Sequence, residues 1–482
     1  MKKQTIYMCV MMLLGVLSSC TDDDSFTTAP SHVLTLSVDT VNIDTVFSNV
    51  PTATRSFWVY NHSGDGLRCQ SVRLANGAAT GFRVNVDGQY LAPSSGYAAS
   101  GIEVRNKDSI RVFVELTSPE NGKPDPQLCQ DDLIFTLESG VEQKVNLRAY
   151  TWDALKLTNV HITRDSLISA QQKPFIIYGG VEVDSGATLT IAPGTTLYFH
   201  NDAGMSIRGT LKTLGEEGRE VVLRGDRIDR MFDYLPYDRV PGQWQGVRFY
   251  ASSYNNHLAF TDIHSAYHGV VADSSDVELQ KLTLDHSTIH NCQGYGLHAI
   301  HAKLTLLNSQ ITNTLESCLR IDGGNATLNQ CTLAQFYPFD ARRGAALQFT
   351  STQAPLVNLS VSNTLVTGYA DDVLMGEAGD TAVAFQYLFD HCILRTPKVT
   401  TADSVRFTQV VFEDVADTTH CGDKHFANID TDNLIYNFEL SSLSSAIGKA
   451  NPQTALPTDR KGRKRDDKPD VGAFEWIEPK TE

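Results

Sequence analysis

Three groups of residues in this sequence combine types and spacings that could do chemistry. In Leu319-Arg-Ile-Asp322 a guanidinium and a carboxylate lie two residues apart, and His298 precedes Arg320 by twenty-two residues. Stacked on one face, such a trio could hold an acidic substrate or move a proton. The second group is aromatic: Phe232, Tyr234, Tyr237, Trp244, Phe249, Tyr250 and Tyr254, joined by Tyr337 in Gln335-Phe-Tyr-Pro-Phe-Asp-Ala-Arg-Arg343. Rings beside Arg and Asp suit a sugar, whose CH faces stack while its hydroxyls take hydrogen bonds. Tyr234, Tyr237, Trp244, Tyr250, Tyr254, Tyr337, Arg342 and Arg343 are therefore candidate ligand-binding residues, and Arg320, Asp322 and His298 candidate catalytic ones. The alternative is that these rings fold over the core, with Trp244 and Phe249 inside. The third group is histidine, with seven of fourteen between His257 and His301. A metal site among His264, His268, His290 and His298 is conceivable, but exposed turn histidines explain the same count, and no metal is expected.

The elements that would position these residues follow from a repeat. Polar residues followed by Ser, Thr or Cys recur at His286-Ser287, Asn308-Ser309, Gln330-Cys331, Asn363-Thr364 and His391-Cys392, the second members 22, 22, 33 and 28 residues apart. A period of 22 with short strands and Asn or Gly corners fits one coil of a parallel β-helix, whose coils close a core only by stacking. The spacing of 33 leaves a surplus that matches the insertion around Phe336–Arg343. A second register, Leu297-His-Ala, Leu319-Arg-Ile and Leu347-Gln-Phe, would align His298, Arg320 and Gln348 outward on neighbouring coils, about 4.8 Å apart. The dyad residues themselves read as an internal ladder that satisfies turn backbone groups.

Several segments add a resemblance. Val181 to Leu197, Ile207-Arg-Gly-Thr-Leu211 and Trp244-Gln-Gly-Val-Arg-Phe249 resemble the opening coils of pectate-lyase-like proteins. Asp459-Arg-Lys-Gly-Arg463 with Pro469-Asp-Val-Gly-Ala-Phe-Glu475 is similar to the closing motif of bacterial surface β-helices. The resemblance implies a right-handed, single-stranded parallel β-helix over 155–440 and a capping segment over 441–482, in which the basic run Arg460–Arg465 is expected to be solvated and flexible. Before it, alternating segments such as Ser56–Tyr60, Phe82–Val86, Ile110–Val114 and Leu133–Leu137 predict an antiparallel β-sandwich over 33–150. The run from Asp44-Thr-Val-Phe47 to Leu147-Arg-Ala-Tyr150 resembles Ig-like modules of the abnormal-spindle and hydin type. The fold class expected is thus all-β.

The start of the chain supplies an address. Lys2 and Lys3 precede an apolar run, then Leu17-Ser-Ser-Cys20 and Thr21-Asp-Asp-Asp24. This resembles a lipobox followed by the acidic export signal of Bacteroidota surface lipoproteins. It implies a signal peptide over 1–19, cleavage between Ser19 and Cys20, lipid on Cys20, a flexible tether over 20–32, and an outer-membrane lipoprotein displayed on the cell surface. Asp-Ser/Thr triplets at Asp39, Asp44, Asp108, Asp165, Asp380, Asp403 and Asp417 resemble the O-glycosylation signal of such proteins. Removing Lys2 and Lys3 takes the net charge from −16 to −18, which argues against a nucleic-acid partner. Apart from Cys9 and Cys20 there are seven cysteines. They lack the Cys-x-x-Cys or Cys/His spacing of structural zinc, and Cys69 with Cys129 is a conceivable bridge.

Lyases on the resembled fold hold Ca2+ against a uronate with outward carboxylates and use Arg or Lys as base. Arg320, Asp322, Asp340, Arg342 and Arg343 could imitate that arrangement, but no Asp triplet recurs at coil spacing. Asp371-Asp372 is not followed by the remaining polygalacturonase motifs. The expectation is a non-enzymatic protein that binds polysaccharide or host surface glycans along the helix flank and needs no cofactor. The alternatives are a lyase or glycoside hydrolase, with Ca2+ in the lyase case alone, or a purely structural surface component.

Overall fold

The computed structural model describes residues 25–478. Ser19, Cys20 and the export run lie outside them. Among the described residues no helix is long and apolar enough to cross a membrane. The chain is all-β and divides into two compact units, one formed by the chain up to Asn121 with Gln127–Thr151, the other by Gly122–Pro126 with the chain from Trp152 onward.

The first unit contains a five-stranded and a six-stranded sheet. Strands such as Phe82–Val86 and Ser109–Leu116 alternate buried and exposed, and their inward Phe, Val and Leu residues join those of the other sheet in one apolar core. Residues 25–32 correct the expected tether. Phe26 bridges to Gly66, the Thr27 amide donates to the Gly66 carbonyl at 3.0 Å, and the Arg68 guanidinium covers the Phe26 ring. Cys69 and Cys129 are both unpaired thiols. Cys69 is opposite Leu137 and Cys129 is opposite Ala149, so eight residues of one strand, about 27 Å, keep them apart.

The second unit carries a 26-stranded sheet whose neighbouring coils pair in parallel, an arrangement compatible with a β-helix. Each coil visits three columns in turn. The first column includes Val247–Phe249, Val270–Ala272, Leu297–Ala299, Leu319–Ile321 and Leu347–Thr350. The second includes Asn256–Ala259, Gln280–Asp285, Leu304–Leu307 and Ala326–Asn329. The third includes Val221–Gly225, Thr261–His264, Thr288–Cys292, Gln310–Thr314, Thr332–Gln335 and Leu365–Gly368. Alternate Leu, Ile, Val and Phe residues from all three columns meet in one continuous core.

The dyads mark the corner between the second and third columns. His286, Asn308, Gln330, Asn363 and His391 all have φ between 45° and 51°, the left-handed region that suits Asn and costs other L residues more. The second members, Ser287, Ser309, Cys331, Thr364 and Cys392, are buried and bond from coil to coil. The Ser309 hydroxyl accepts from the Ser287 amide at 3.2 Å and the Thr364 hydroxyl from the Cys331 amide at 3.3 Å.

The parallel stack ends at Val411–Phe412 and not near 440. Asp414 and Asp417 take the next amides into Asx turns, which lead the chain off the ladder into an antiparallel pair, Phe426–Asp430 with Ile435–Leu440. This hairpin and the closing segment lay Phe426, Phe438, Val471 and Phe474 against Ala334, Phe336, Leu365 and Ile393. Thr332–Gln335 and Leu365–Gly368 are therefore buried on both faces. The basic run is corrected here. Arg460 and Arg465 are buried, Arg465 pairing with Glu475 at 3.0 Å and donating to the Asn308 side chain at 3.1 Å. These partners fix a segment that charge alone would leave in solvent.

Candidate functional site

The two insertions leave the stack at the same corner, between the third and first columns. The first joins Val221–Gly225 to Val247–Phe249 and folds on itself through Arg230–Phe232 paired with Leu235–Pro236, then a 3-10 turn at Tyr237–Arg239. It returns at Gly242, where φ is 78° and a Cβ would fall 2.0 Å from Gln293 Oε1, so only glycine lets the insertion press onto the coil beneath. The second insertion joins Thr332–Gln335 to Leu347–Thr350 and returns at Gly344, where a Cβ would meet the Glu316 backbone at 2.5 Å. Between them lie the short corners that contain Gln293 and Leu315.

The result is a groove of about 650 Å³ with a floor of Gln293 and Leu315. One wall is Met231, Phe232, Tyr234 and Leu235, the other Tyr337, Pro338, Phe339 and Asp340, and the hairpin turn Thr431–Leu434 closes an end. Phe232 and Tyr234 stack at 5.8 Å, and each is about half exposed, as is Phe339. Phe339 packs edge-on against Tyr337 at 5.6 Å. Tyr337 is buried, and burial pushes its phenol up to about 12. Asp340 is held below the usual carboxylate range by the hydrogen bond from Arg342, whose guanidinium is otherwise open to solvent. Arg239 donates to the Asn433 carbonyl at 2.7 Å and ties the first insertion to the hairpin turn.

Of the candidate binding residues, Tyr234 and Tyr337 line this groove, and Arg342 is at its rim through Asp340. Trp244 is not available to a ligand. It is 1% exposed, stacks on Phe199 at 4.3 Å and donates its indole N–H to the His264 carbonyl at 2.8 Å. Tyr237 lies under the Arg227 guanidinium at 3.9 Å. Tyr250 sits between Arg208 and Arg248, and the Tyr254 hydroxyl accepts from the Asp276 amide. Arg343 covers the Tyr369 ring. The sequence reading missed the contribution of 431–434. Its signal was Asp430-Thr-Asp-Asn433 between two alternating segments, a hairpin turn placed inside the expected helix.

The candidate catalytic residues come together elsewhere. His298, Arg320 and Gln348 are in register on successive first-column strands. His298 Nε2 is 2.7 Å from Asp322 Oδ2, and Arg320 Nε is 3.0 Å from Asp322 Oδ1, with the Tyr295 hydroxyl 3.2 Å from the guanidinium. Burial opposes the Asp322 charge, but the His298 hydrogen bond and the Arg320 charge outweigh it and lower its pKa. For Arg320, burial opposes the cation and Asp322 prevails, so its pKa rises. The Arg320 shift runs against the lyase chemistry; the lowered pKa of Asp322 only keeps it ionised. A general base needs its uncharged form within reach, and both Asp322 oxygens are already engaged rather than free for Ca2+. Arg320 does not line the aromatic groove. The histidines divide: His268 and His298 flank Tyr295 on this face, whereas His264 and His290 lie on the third column.

No family model matches the chain, and no curated protein matches it. Among solved structures, a family 123 glycoside hydrolase from Clostridium perfringens, described for its hydrolysis of glycolipid glycans, is similar at a TM-score of 0.18 and 10% identity. The match covers 27% of this chain and 26% of the hydrolase, so the chain spans about a quarter of that protein's length. A match of this size carries no argument about activity.

Proposed function

We propose that this chain is a surface lipoprotein that binds glycans without turning them over, through the aromatic groove between its two insertions. In this reading lipid on Cys20 anchors it to the outer membrane, an Ig-like sandwich follows, and a right-handed parallel β-helix carries the groove. The observation that supports it is the convergence of Phe232 and Tyr234 from one insertion with Phe339 and Asp340 from the other, 105 residues further on, on one cleft. Exposed ring faces beside carboxylates match the two sides of a sugar, and the size suits a short oligosaccharide segment.

Glycan-array screening of the mature chain, followed by titration of the strongest hit, tests it. Tyr234→Ala and Phe339→Ala should each weaken binding at least tenfold, about 1.4 kcal/mol, with the melting temperature unchanged. Binding that survives both substitutions would sink the reading. One observation favours turnover instead, the in-register row of His298, Arg320 and Gln348. Release of unsaturated products from uronate polysaccharides, dependent on Ca2+ and lost in His298→Ala, would replace binding by elimination.

A further inference from the structure

On the third column the parallel register builds a different cluster. Asp262 and His264 are two apart on Thr261–His264 and share its outer side, while His290 pairs with His264 one coil on. The two imidazoles are 4.9 Å apart between centroids, the coil spacing itself. His264 Nδ1 is 2.8 Å and His290 Nε2 3.2 Å from the same oxygen, Asp262 Oδ1, and one ligand atom from each of the three residues lies within 4.8 Å of the others. A tetrahedral zinc site with bonds of about 2.0–2.1 Å has ligand–ligand edges of roughly 3.3 Å. Small side-chain rotations would therefore suffice to place these three atoms on one ion.

A second feature is independent of that spacing. His264 is more than nine-tenths buried, and its Nε2 has no hydrogen-bond partner, with Asp238 Oδ1 3.8 Å away. Metal-bound histidines regularly direct their other ring nitrogen to a carboxylate, which fixes the tautomer and ring orientation. Asp238 comes from the first insertion and is paired with Arg224. Arg460 approaches from the closing segment, but its Nε donates to Thr288 Oγ1 at 3.0 Å and its Nη1 faces Glu220. Asp262 supplies the anionic ligand, while the charge of Asp238 is shared with Arg224. His290 is a quarter exposed and lines a cavity of about 500 Å³ with Asp238, Gln310 and Glu439, so a fourth coordination position would face a space open to ligand.

We propose that Asp262, His264 and His290 bind a divalent first-row transition ion, Zn2+ by preference, with Asp238 orienting His264 and the fourth position open to the cavity. Two imidazoles and one carboxylate suit Zn2+ far better than Ca2+ or Mg2+, which require oxygen donors. Among the described residues a second cluster of this kind, Glu413, Cys421 and His425, already has a protein cation, because Arg395 donates to Glu413 at 2.9 Å. The site does not depend on the glycan reading. It does connect to the groove, since the insertion that supplies Asp238 also carries Phe232 and Tyr234.

The test is titration of the full, untagged, chelator-stripped chain with Co2+ and then Zn2+. One equivalent of Co2+ should give intense visible d–d bands of a four-coordinate site, and Zn2+ should displace them and raise the melting temperature. His290→Ala, at the partly exposed ligand, should fold, weaken Co2+ binding at least thirtyfold and lose the Zn2+-dependent thermal shift. Asp262→Asn should weaken binding in the same direction. Cys421→Ser should leave binding unchanged. Absence of a saturable Co2+ spectrum, full retention of it in His290→Ala, or its loss in Cys421→Ser would each overturn the proposal.

Discussion

At the scale of single residues, Trp244 shows where residue type and position part company. Its ring carries the properties of a sugar platform, yet it stacks on Phe199 within the coil core and its indole N–H is satisfied by a carbonyl. Trp244→Ala should therefore cost about 3–5 kcal/mol in chemical denaturation, the range for truncating a large buried ring, while Tyr234→Ala costs under about 1 kcal/mol. The sequence shows that rings are concentrated between 232 and 254. It does not show which of them point inward, because the insertion has no period to read. In Leu319-Arg-Ile-Asp322 the period is present, and the outward placing of Arg320 was legible for that reason. Asp322, two residues on along the same strand, was legible as a partner of Arg320 from that spacing, whereas Tyr295 reaches it from a corner that no spacing encodes. His264 and His290 also lie one coil apart, but at a spacing of 26 positions rather than 22. The uneven corner lengths hid that register.

At the scale of elements, the corner dyads explain why the repeat could be read at all. A left-handed corner restricts the first position, and a buried backbone turn requires a hydroxyl or thiol at the second. These demands recur from coil to coil between His286 and Cys392 and leave a trace in residue type. The closing segment has no such recurrence, and its charges suggested solvent where the structure shows burial. Asp470 gives a measurable consequence. Burial pushes its carboxyl up to about 6 from 3.8, against the amides of Trp476 and Gly448, which donate to it. A raised carboxyl holds its proton longer in the folded state. Its contribution to stability is complete below about pH 4 and is lost as pH rises through about 6, by roughly 3 kcal/mol at ~1.4 kcal/mol per unit. Asp238, held near 2 where burial is outweighed by His264 and Arg224, has the opposite slope. The comparison must therefore be differential: in urea melts the parent chain should lose stability relative to Asp470→Asn, whose side chain cannot ionise, as pH rises from about 4 to neutral.

At the scale of the whole chain, each unit is a self-contained β architecture with its own core, and the parallel stack of the second was legible from the repeat while its end was not. The sequence shows where recurrence stops, around His391-Cys392, but whether the next strands continue the ladder depends on tertiary cover. The hairpin Phe426–Leu440 alternates like another coil and is used as a lid over Phe336 and Leu365. Deletion from Phe426 onward should uncover Ala334, Phe336, Leu365 and Ile393 at once, with strong binding of a hydrophobic dye and a melting temperature lower by ten degrees or more. An unchanged melt would show that the lid adds nothing. The outward halves of the dyads have a role in the same closure: His286 meets Thr458, Gln330 accepts from the Leu456 amide, and Asn363 accepts from Asn451. These bonds link coils separated by more than seventy residues to a strap made after all of them. During synthesis, the middle coils must consequently survive with one flank bare, exposed to proteases and to other nascent chains, until the strap emerges and fastens them together. The protein's most vulnerable moment is thus late in its making, and resistance to digestion should arise abruptly when residues 451–475 become free to dock.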